Sequence, residues 1–315
     1  MAAIKMNRIT LPISKSIANR ILLLQAIHGD PLMRVSAEMP DDVLVLHDAL
    51  ARLREHKKGE PLTLNLKNCG TALRFLQVHL EQCYSGEPIV LAGDERLIER
   101  AGAPTSQTTS ARILHGLDVP VEDDESPYIT MSRRVAEAYP RVRLERDWSA
   151  AAFWYEYIAL HGGELLLDGL TEQSLQGDRI VADIYAEHFG VQTTFTAAGA
   201  HLQKLSTLNS PTSFNFQLST FNFTNCPDLY PAIALTCERL GITLHATGTE
   251  RLAYKESNRL EAVARHETRH DHRMAMALMA AGYPVDDTEC IAKSYPTFLQ
   301  QFTALTSAAE RAGVG

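Results

Sequence analysis

Apolar runs of strand period and of helix period alternate along nearly the whole chain, and this alternation restricts its fold more than any other feature. Leu62, Leu64 and Leu66 alternate with polar residues, which is the mark of a strand. Ile4, Met6 and Ile9 make a shorter strand candidate, and further ones lie at 89–91, 165–167 and 243–245. Helical spacing links Ile17, Ile21 and Leu24; Val43, Leu46, His47 and Leu50; Leu73, Leu76 and Leu80; and Phe153, Tyr157 and Leu160. Helices are also expected over 181–189 and 233–240, and Phe298, Phe302 and Leu305 make a last amphipathic one. Strand–helix units in both halves call for an α/β architecture. At 315 residues, two domains fit better than one. No floppy linker or low-complexity segment interrupts the pattern.

Charge and cysteine usage narrow the function. Lys and Arg number 30 against 38 Asp and Glu, a net charge of −8, which argues against a nucleic-acid groove but allows a small basic pocket. No apolar run is long enough to span a bilayer, and the N-terminus carries no signal-peptide pattern. The five cysteines are odd in number, scattered and without a C-x-x-C pair. A reducing cytoplasm suits them better than a disulfide framework or a Cys-rich zinc site.

Within this frame, several helix starts carry groups suited to anions. Lys15, Ser16 and Arg20 open the first helix, with Ser14 or Ser16 as cap. Helix N-termini offer unpaired N–H groups and the positive end of a dipole. Asn68-Cys69-Gly70-Thr71 ends a strand and starts a second helix, with Thr71 as its expected cap and Cys69 as a small buried residue. Thr105-Ser106-Gln107 starts another, and Asp147 or Ser149 caps a long apolar one. Asp228 sits at a turn before the 233–240 helix. Lys255 and Arg259 share a helical face beside Glu256, and Asp271-His272-Arg273 is one more capped start. Taken singly, each is equally an ordinary cap or a solvated salt-bridge face.

Taken together and in order, these motifs resemble those of the 5-enolpyruvylshikimate-3-phosphate (EPSP) synthases. The opening Lys15-Ser16-x-x-x-Arg20, Lys255-Glu256-Ser257-Asn258-Arg259-Leu260 and Asp271-His272-Arg273-Met274-Ala275-Met276 carry the likeness most specifically. Asn68-Cys69-Gly70-Thr71, with Cys69 where the family has Ala, Thr105-Ser106-Gln107, Pro127-Tyr128 and Lys293-Ser294-Tyr295-Pro296 carry it more weakly. The resemblance implies a two-domain inside-out α/β barrel built from βαβαββ units. One lobe, 12–145, would bind the shikimate phosphate; 1–11 with 146–315 would form a second lobe completing the phosphoenolpyruvate site. It implies transfer of the enolpyruvyl group of phosphoenolpyruvate to the 5-hydroxyl of shikimate 3-phosphate, with release of phosphate.

By the same resemblance, shikimate 3-phosphate falls to Lys15, Ser16, Arg20, Thr105, Ser106, Gln107, Tyr128, Asp228 and Lys255. Phosphoenolpyruvate falls to Lys15, Gly70, Arg100, Gln107, Arg259, His272, Arg273 and Lys293. Asp228, Glu256 and Lys15 are the candidates for moving protons. No metal or organic cofactor, nucleic acid or membrane is expected, and the chain is expected to be a cytoplasmic monomer. Relatives carry a strand–helix segment between the positions matching Arg100 and Thr105, and another where Glu267 meets Thr268; neither is present here. An anion-binding relative that has lost catalysis is therefore one alternative. A zinc hydrolase is another, because His266-Glu267-x-x-His270 fits H-E-x-x-H. The sister transferase acting on a UDP-aminosugar is disfavoured, since its opening motif and loop cysteine are not found.

Overall fold

A computed structural model describes residues 7–95, 97, 102, 105–121, 125–205 and 218–311. In chain order its strands are β1 (Arg8–Thr10), β2 (Leu62–Asn65), β3 (Ile89–Ala92), β4 (Glu164–Asp168), β5 (Val191–Thr196), β6 (Gly199–Lys204), β7 (Leu218–Asn222) and β8 (Thr243–Thr247). Its helices are α1 (Lys15–His28), α2 (Asp41–Glu55), α3 (Gly70–Cys83), α4 (Ser106–Leu114), α5 (Pro127–Ala138), α6 (Trp148–His161), α7 (Val181–Phe189), α8 (Tyr230–Leu240), α9 (Arg259–Arg265), α10 (His272–Ala280) and α11 (Phe298–Arg311). The chain divides into two compact units, Ile13–Leu144 and Met1–Pro12 with Glu145–Gly315.

The 13–144 unit pairs β2 with β3 in parallel, Leu62 opposite Ile89. Alternation buries Leu64 in β2 and Leu66 just past its end; Leu46 and Leu50 of α2, which packs on β2, and Phe75 and Leu76 of α3 are likewise essentially fully buried. Helix α1 turns Ile17, Leu22, Leu23 and Leu24 into the same core. The start of α3 differs from the sequence expectation. Its cap is Cys69 and not Thr71: the buried Sγ accepts from the Ala72 amide at 3.4 Å. Helix α4 has a full capping box, with the Thr105 hydroxyl at its N-cap and Thr108 reaching back to the Thr105 amide at 3.2 Å. Pro127 begins α5 at the one place in a helix where a missing N–H is harmless.

The larger unit holds a four-stranded sheet in the order β1-β4-β6-β5, parallel between β1 and β4 and antiparallel elsewhere, and a parallel pair of β7 and β8. Helix α6 is buried almost all round, from Trp148 to Ala159, as its uniformly apolar sequence requires. Asp147 caps it, accepting from the Ala150 amide at 3.1 Å, which leaves Ser149 for another partner. Phe298 of α11 packs on Trp154, ring centres 5.2 Å apart. Glu156 is the exception inside α6. It is fully buried without a hydrogen-bond partner among the described residues, and burial lifts its carboxyl far above the usual range, so it is held neutral.

The sheet leaves no room at Gly199. It adopts φ +145°, and a Cβ there would stand 2.1 Å from the Leu167 carbonyl oxygen across the β4–β6 pair. Gly199→Ala should therefore destabilise the larger unit by about 3 kcal/mol or more. Both tryptophans of the chain, Trp148 and Trp154, are buried in that unit, so the urea midpoint of intrinsic fluorescence reports it selectively.

Candidate active site

The chemistry of the larger unit gathers on one carboxylate. A 3-10 turn, Pro227–Leu229, presents Asp228 just ahead of α8. Three cations meet Asp228. Arg259 Nη1 donates to Oδ1 at 2.6 Å, Lys255 Nζ lies 3.4 Å from the same oxygen, and Arg273 Nη2 lies 3.1 Å from Oδ2. Asp271 anchors the group from behind. It caps α10 through the Arg273 amide at 3.0 Å, and it takes Arg259 Nε at 2.9 Å and the Ser257 hydroxyl at 3.1 Å. A second cluster adjoins in sequence: Glu256 accepts from His272 Nδ1 at 2.7 Å and pairs with Lys293 Nζ at 3.2 Å.

Local sequence explains how these side chains reach their places. Asn258 caps α9, its side chain accepting from the Glu261 amide, so the helix begins at Arg259. Lys255 lies before that cap, which corrects the expectation that Lys255 and Arg259 share a helical face. They come to Asp228 from a turn and from a helix start. Asp271 does the same for α10, placing His272 and Arg273 in the first turn.

Burial and charge compete throughout. Burial alone disfavours the Arg259 guanidinium, but Asp271 and Asp228 outweigh it and raise its pKa. Burial lowers Lys255, and Asp228 offsets part of that. Burial would raise Asp271, but Arg259 pulls it below the ordinary carboxylate range. Asp178 is a member that sequence patterning did not single out. Burial, then the neighbouring Asp228 charge, pushes it up to about 7, while Arg273 and a hydrogen bond from Ser149 work against the rise. Lys255, Arg259, Arg273 and Lys293 thus gather with the carboxyl groups of Asp228, Asp271 and Glu256, and the Asp178 carboxyl is pushed up beside them. A cluster so rich in fixed cations suits an anionic ligand.

The 13–144 unit positions a second set. Lys15, at the first position of α1, pairs with Asp42 at 2.9 Å. Arg20 is fully buried, and its guanidinium donates to Ser132 Oγ at 2.8 Å, Ser110 Oγ at 3.3 Å and the carbonyls of Ser16 and Tyr128 at 2.7 and 2.8 Å. In this arrangement Arg20 ties the start of α1 to α4 and α5, and burial lowers its pKa to about 10. Ser106 and Gln107 open α4 behind Thr105, and Gln107 Oε1 is buried without a hydrogen-bond partner among the described residues. Gly70 opens α3, and beyond its chain neighbours and its own helix backbone no atom of the described residues lies within 4 Å of where a Cβ would stand. Arg100 lies outside the described residues.

The zinc reading of His266-Glu267-x-x-His270 does not survive the backbone. His266 is the left-handed C-cap of α9 (φ +55°), and Arg269 and His270 are also left-handed, so no helix brings the two imidazoles together. His266 binds Glu238 at 2.9 Å, and His270 binds Asp287 at 2.7 Å. Glu256, Asp271 and His272 do place one potential metal ligand each within 4.8 Å of one another. Asp271 is already neutralised by Arg259 and Glu256 by Lys293, so a dication there would have to displace both.

Comparison with known proteins identifies the family and the fold. A family model described as EPSP synthase (3-phosphoshikimate 1-carboxyvinyltransferase) matches residues 103–269, more than half of the chain. A 3-phosphoshikimate 1-carboxyvinyltransferase of Bacteroides fragilis strain YCH46 is 26% identical over 400 aligned positions, covering 92% of this chain and 93% of that protein. A namesake from Methanospirillum hungatei JF-1 is 26% identical over 219 positions, covering 59% and 49%. The solved EPSP synthase of Acinetobacter baumannii superposes with a TM-score of 0.62 at 18% identity, covering 98% and 96%. The fold is thus of the two-domain inside-out α/β class. The chain belongs to the EPSP synthase family. The Bacteroides alignment is longer than the chain's 315 residues, so that relative has segments with no counterpart here.

The raised Asp178 pKa makes stability depend on pH. The folded protein holds a proton that the unfolded chain releases near the ordinary Asp value of about 3.9. Its contribution is fully present below pH 4 and is lost as pH rises through about 7. Asp178→Asn should remove that slope, up to about 1.4 kcal/mol per pH unit, in urea titrations followed by tryptophan fluorescence between pH 4 and 8.

Proposed function

We propose that the chain catalyses its family's reaction, moving the enolpyruvyl group of phosphoenolpyruvate onto the 5-hydroxyl of shikimate 3-phosphate. The observation that carries the site reading is Asp228 held by Lys255, Arg259 and Arg273. Both substrates are polyanions that repel each other. Two unit charges about 4 Å apart interact by ~4 kcal/mol at an effective dielectric near 20. A set of lysines and arginines fixed before the ligands arrive offsets that repulsion without reorganising during the reaction. Shikimate 3-phosphate is assigned to Lys15, Ser16, Thr105, Ser106, Gln107, Tyr128, Asp228 and Lys255, with Arg20 ordering Ser16 and Tyr128. Phosphoenolpyruvate is assigned to Lys15, Gly70, Arg100, Gln107, Arg259, His272, Arg273 and Lys293. The open space at Gly70 supports its part, because the protein's own packing does not demand glycine there.

The chemistry needs groups that give and take protons. An acid protonates the methylene carbon of phosphoenolpyruvate, and C2 takes on cationic character. The 5-hydroxyl oxygen bonds to C2 as its proton leaves for a base. The tetrahedral adduct then breaks its C2–O bond to phosphate, which departs with the electron pair, and the new methyl group gives up a proton to restore the double bond. Glu256 is assigned as the carbon acid and Asp228 as the base, with Lys15 as the third proton-carrying candidate. The contacts of Glu256 with His272 and Lys293 support a carboxyl able to exchange a proton with an adjacent imidazole. The same reading makes the chain a cytoplasmic monomer; the lack of a disulfide among the described residues fits a reducing compartment.

Asp228→Asn should lower kcat by about 10²- to 10⁴-fold with an unchanged far-ultraviolet circular dichroism spectrum. The measurement is phosphate release from phosphoenolpyruvate that requires shikimate 3-phosphate. Near-normal turnover removes Asp228 from the mechanism, and no release from the wild type identifies a relative that has lost catalysis. Gly70→Ala should leave the unfolding midpoint within about 0.5 kcal/mol of wild type while raising the KM for phosphoenolpyruvate. An unchanged KM would separate Gly70 from that substrate.

A further inference from the structure

Outside every residue assigned to substrate, three side chains of the 13–144 unit meet at one point. His79 and Cys83 are four apart on α3 and leave the same face of the helix. His115 is the C-cap of α4, which packs against α3. His79 Nδ1 lies 3.3 Å from His115 Nε2, and one ligand atom from each of the three residues lies within 4.8 Å of the others. Two nitrogens bound at about 2.0–2.1 Å to one tetrahedral Zn²⁺ stand about 3.3–3.4 Å apart, so the imidazole pair is already at ligand spacing. An imidazole–imidazole hydrogen bond alone accounts for that pair but leaves the thiol at the third corner unexplained.

The surroundings suit an ion. His79 is 3% exposed and backed by the Tyr84 ring, centroids 5.7 Å apart, while Cys83 is exposed and leaves a way in from solvent. The Tyr84 hydroxyl donates to the Leu53 carbonyl at 3.1 Å, which fixes that wall. Arg54 is the cation that opposes a metal, and its guanidinium is turned onto the carbonyls of Gln25 and Asp30. A thiolate at Cys83 would balance it.

We propose that His79, Cys83 and His115 form a binding site for one borderline-soft divalent metal ion, Zn²⁺ or Co²⁺, in tetrahedral geometry with the fourth position open to solvent. Two neutral imidazoles and one thiolate are the donor set such ions select over Mg²⁺ or Ca²⁺. Bound there, the ion clips the C-terminal ends of α3 and α4 together. Because it binds the folded chain, it raises the unfolding temperature by mass action. The site stands apart from the transferase reading and does not depend on it.

The test uses the full chain without a histidine tag, stripped with EDTA and titrated with Co²⁺. One equivalent should produce the visible bands of tetrahedral cobalt and a near-ultraviolet thiolate-to-cobalt charge-transfer band. Zn²⁺ should bleach both and raise the melting temperature. Cys83→Ser should abolish the charge-transfer band, and Cys83→Ser and His115→Gln should each weaken Zn²⁺ binding about tenfold or more. Both positions are at least partly exposed, and circular dichroism verifies that the variants fold. Cobalt held instead by Glu256, Asp271 and His272 would show no thiolate band. The absence of a saturable band in the wild type, its persistence in Cys83→Ser, or unchanged Zn²⁺ affinity in His115→Gln each overturns the proposal.

Discussion

The contact on which the larger unit's chemistry depends is the pairing of Arg259 with Asp271. Both are buried, and neither could stay charged there alone. Paired, they fix the starts of α9 and α10 against each other, since Arg259 opens one helix and Asp271 caps the other. Arg259 then has a second edge of its guanidinium to spend, and it spends it on Asp228. The planar fork of arginine makes this possible: Nε and Nη2 face Asp271 while Nη1 faces Asp228. A lysine at 259 would offer one point charge and could not bridge both carboxylates in fixed geometry.

That arrangement surrounds the buried Asp228 with cations although another carboxyl lies beside it. Asp228 has three cations within 3.4 Å; Asp178 has Arg273 and Ser149 against it and Asp228 for company. Burial and the Asp228 charge raise Asp178 against the pull of Arg273 and Ser149. Sites that move protons are commonly built from groups whose surroundings push their pKa values apart.

Much of this was legible in the sequence where the cause is local. Asp147, Thr105 and Asp271 read as caps and are caps, because a cap is decided by two or three neighbouring residues. The helix at 181–189 is found as expected. Where the cause is tertiary, the reading failed. Nothing near Asp178 in sequence tells of Asp228, and Cys69 replaces Thr71 as a cap because its thiol is held in a buried turn. Lys255 and Arg259 looked like one helical face until Asn258 took the cap. The H-E-x-x-H pattern lacked a helix to act on, since Arg269 and His270 are left-handed. His79, Cys83 and His115 gave no signal, for their third member is remote in sequence.

One feature of the connection between units bears on how the chain reaches this state. The 13–144 unit is an insertion: the chain leaves the larger unit after Pro12 and returns at Glu145. Its two flanks touch, the Asp147 amide donating to the Pro12 carbonyl at 3.0 Å and Arg146 to the Leu11 carbonyl at 2.8 Å. Strand β1 must find β4 across this whole segment, with Arg8 opposite Leu166. Closing so long a loop is entropically unfavourable while the insert is a coil, and far less so once it has collapsed with its ends adjacent. Pairing β1 with β4 is thus entropically cheaper once the inserted unit has folded.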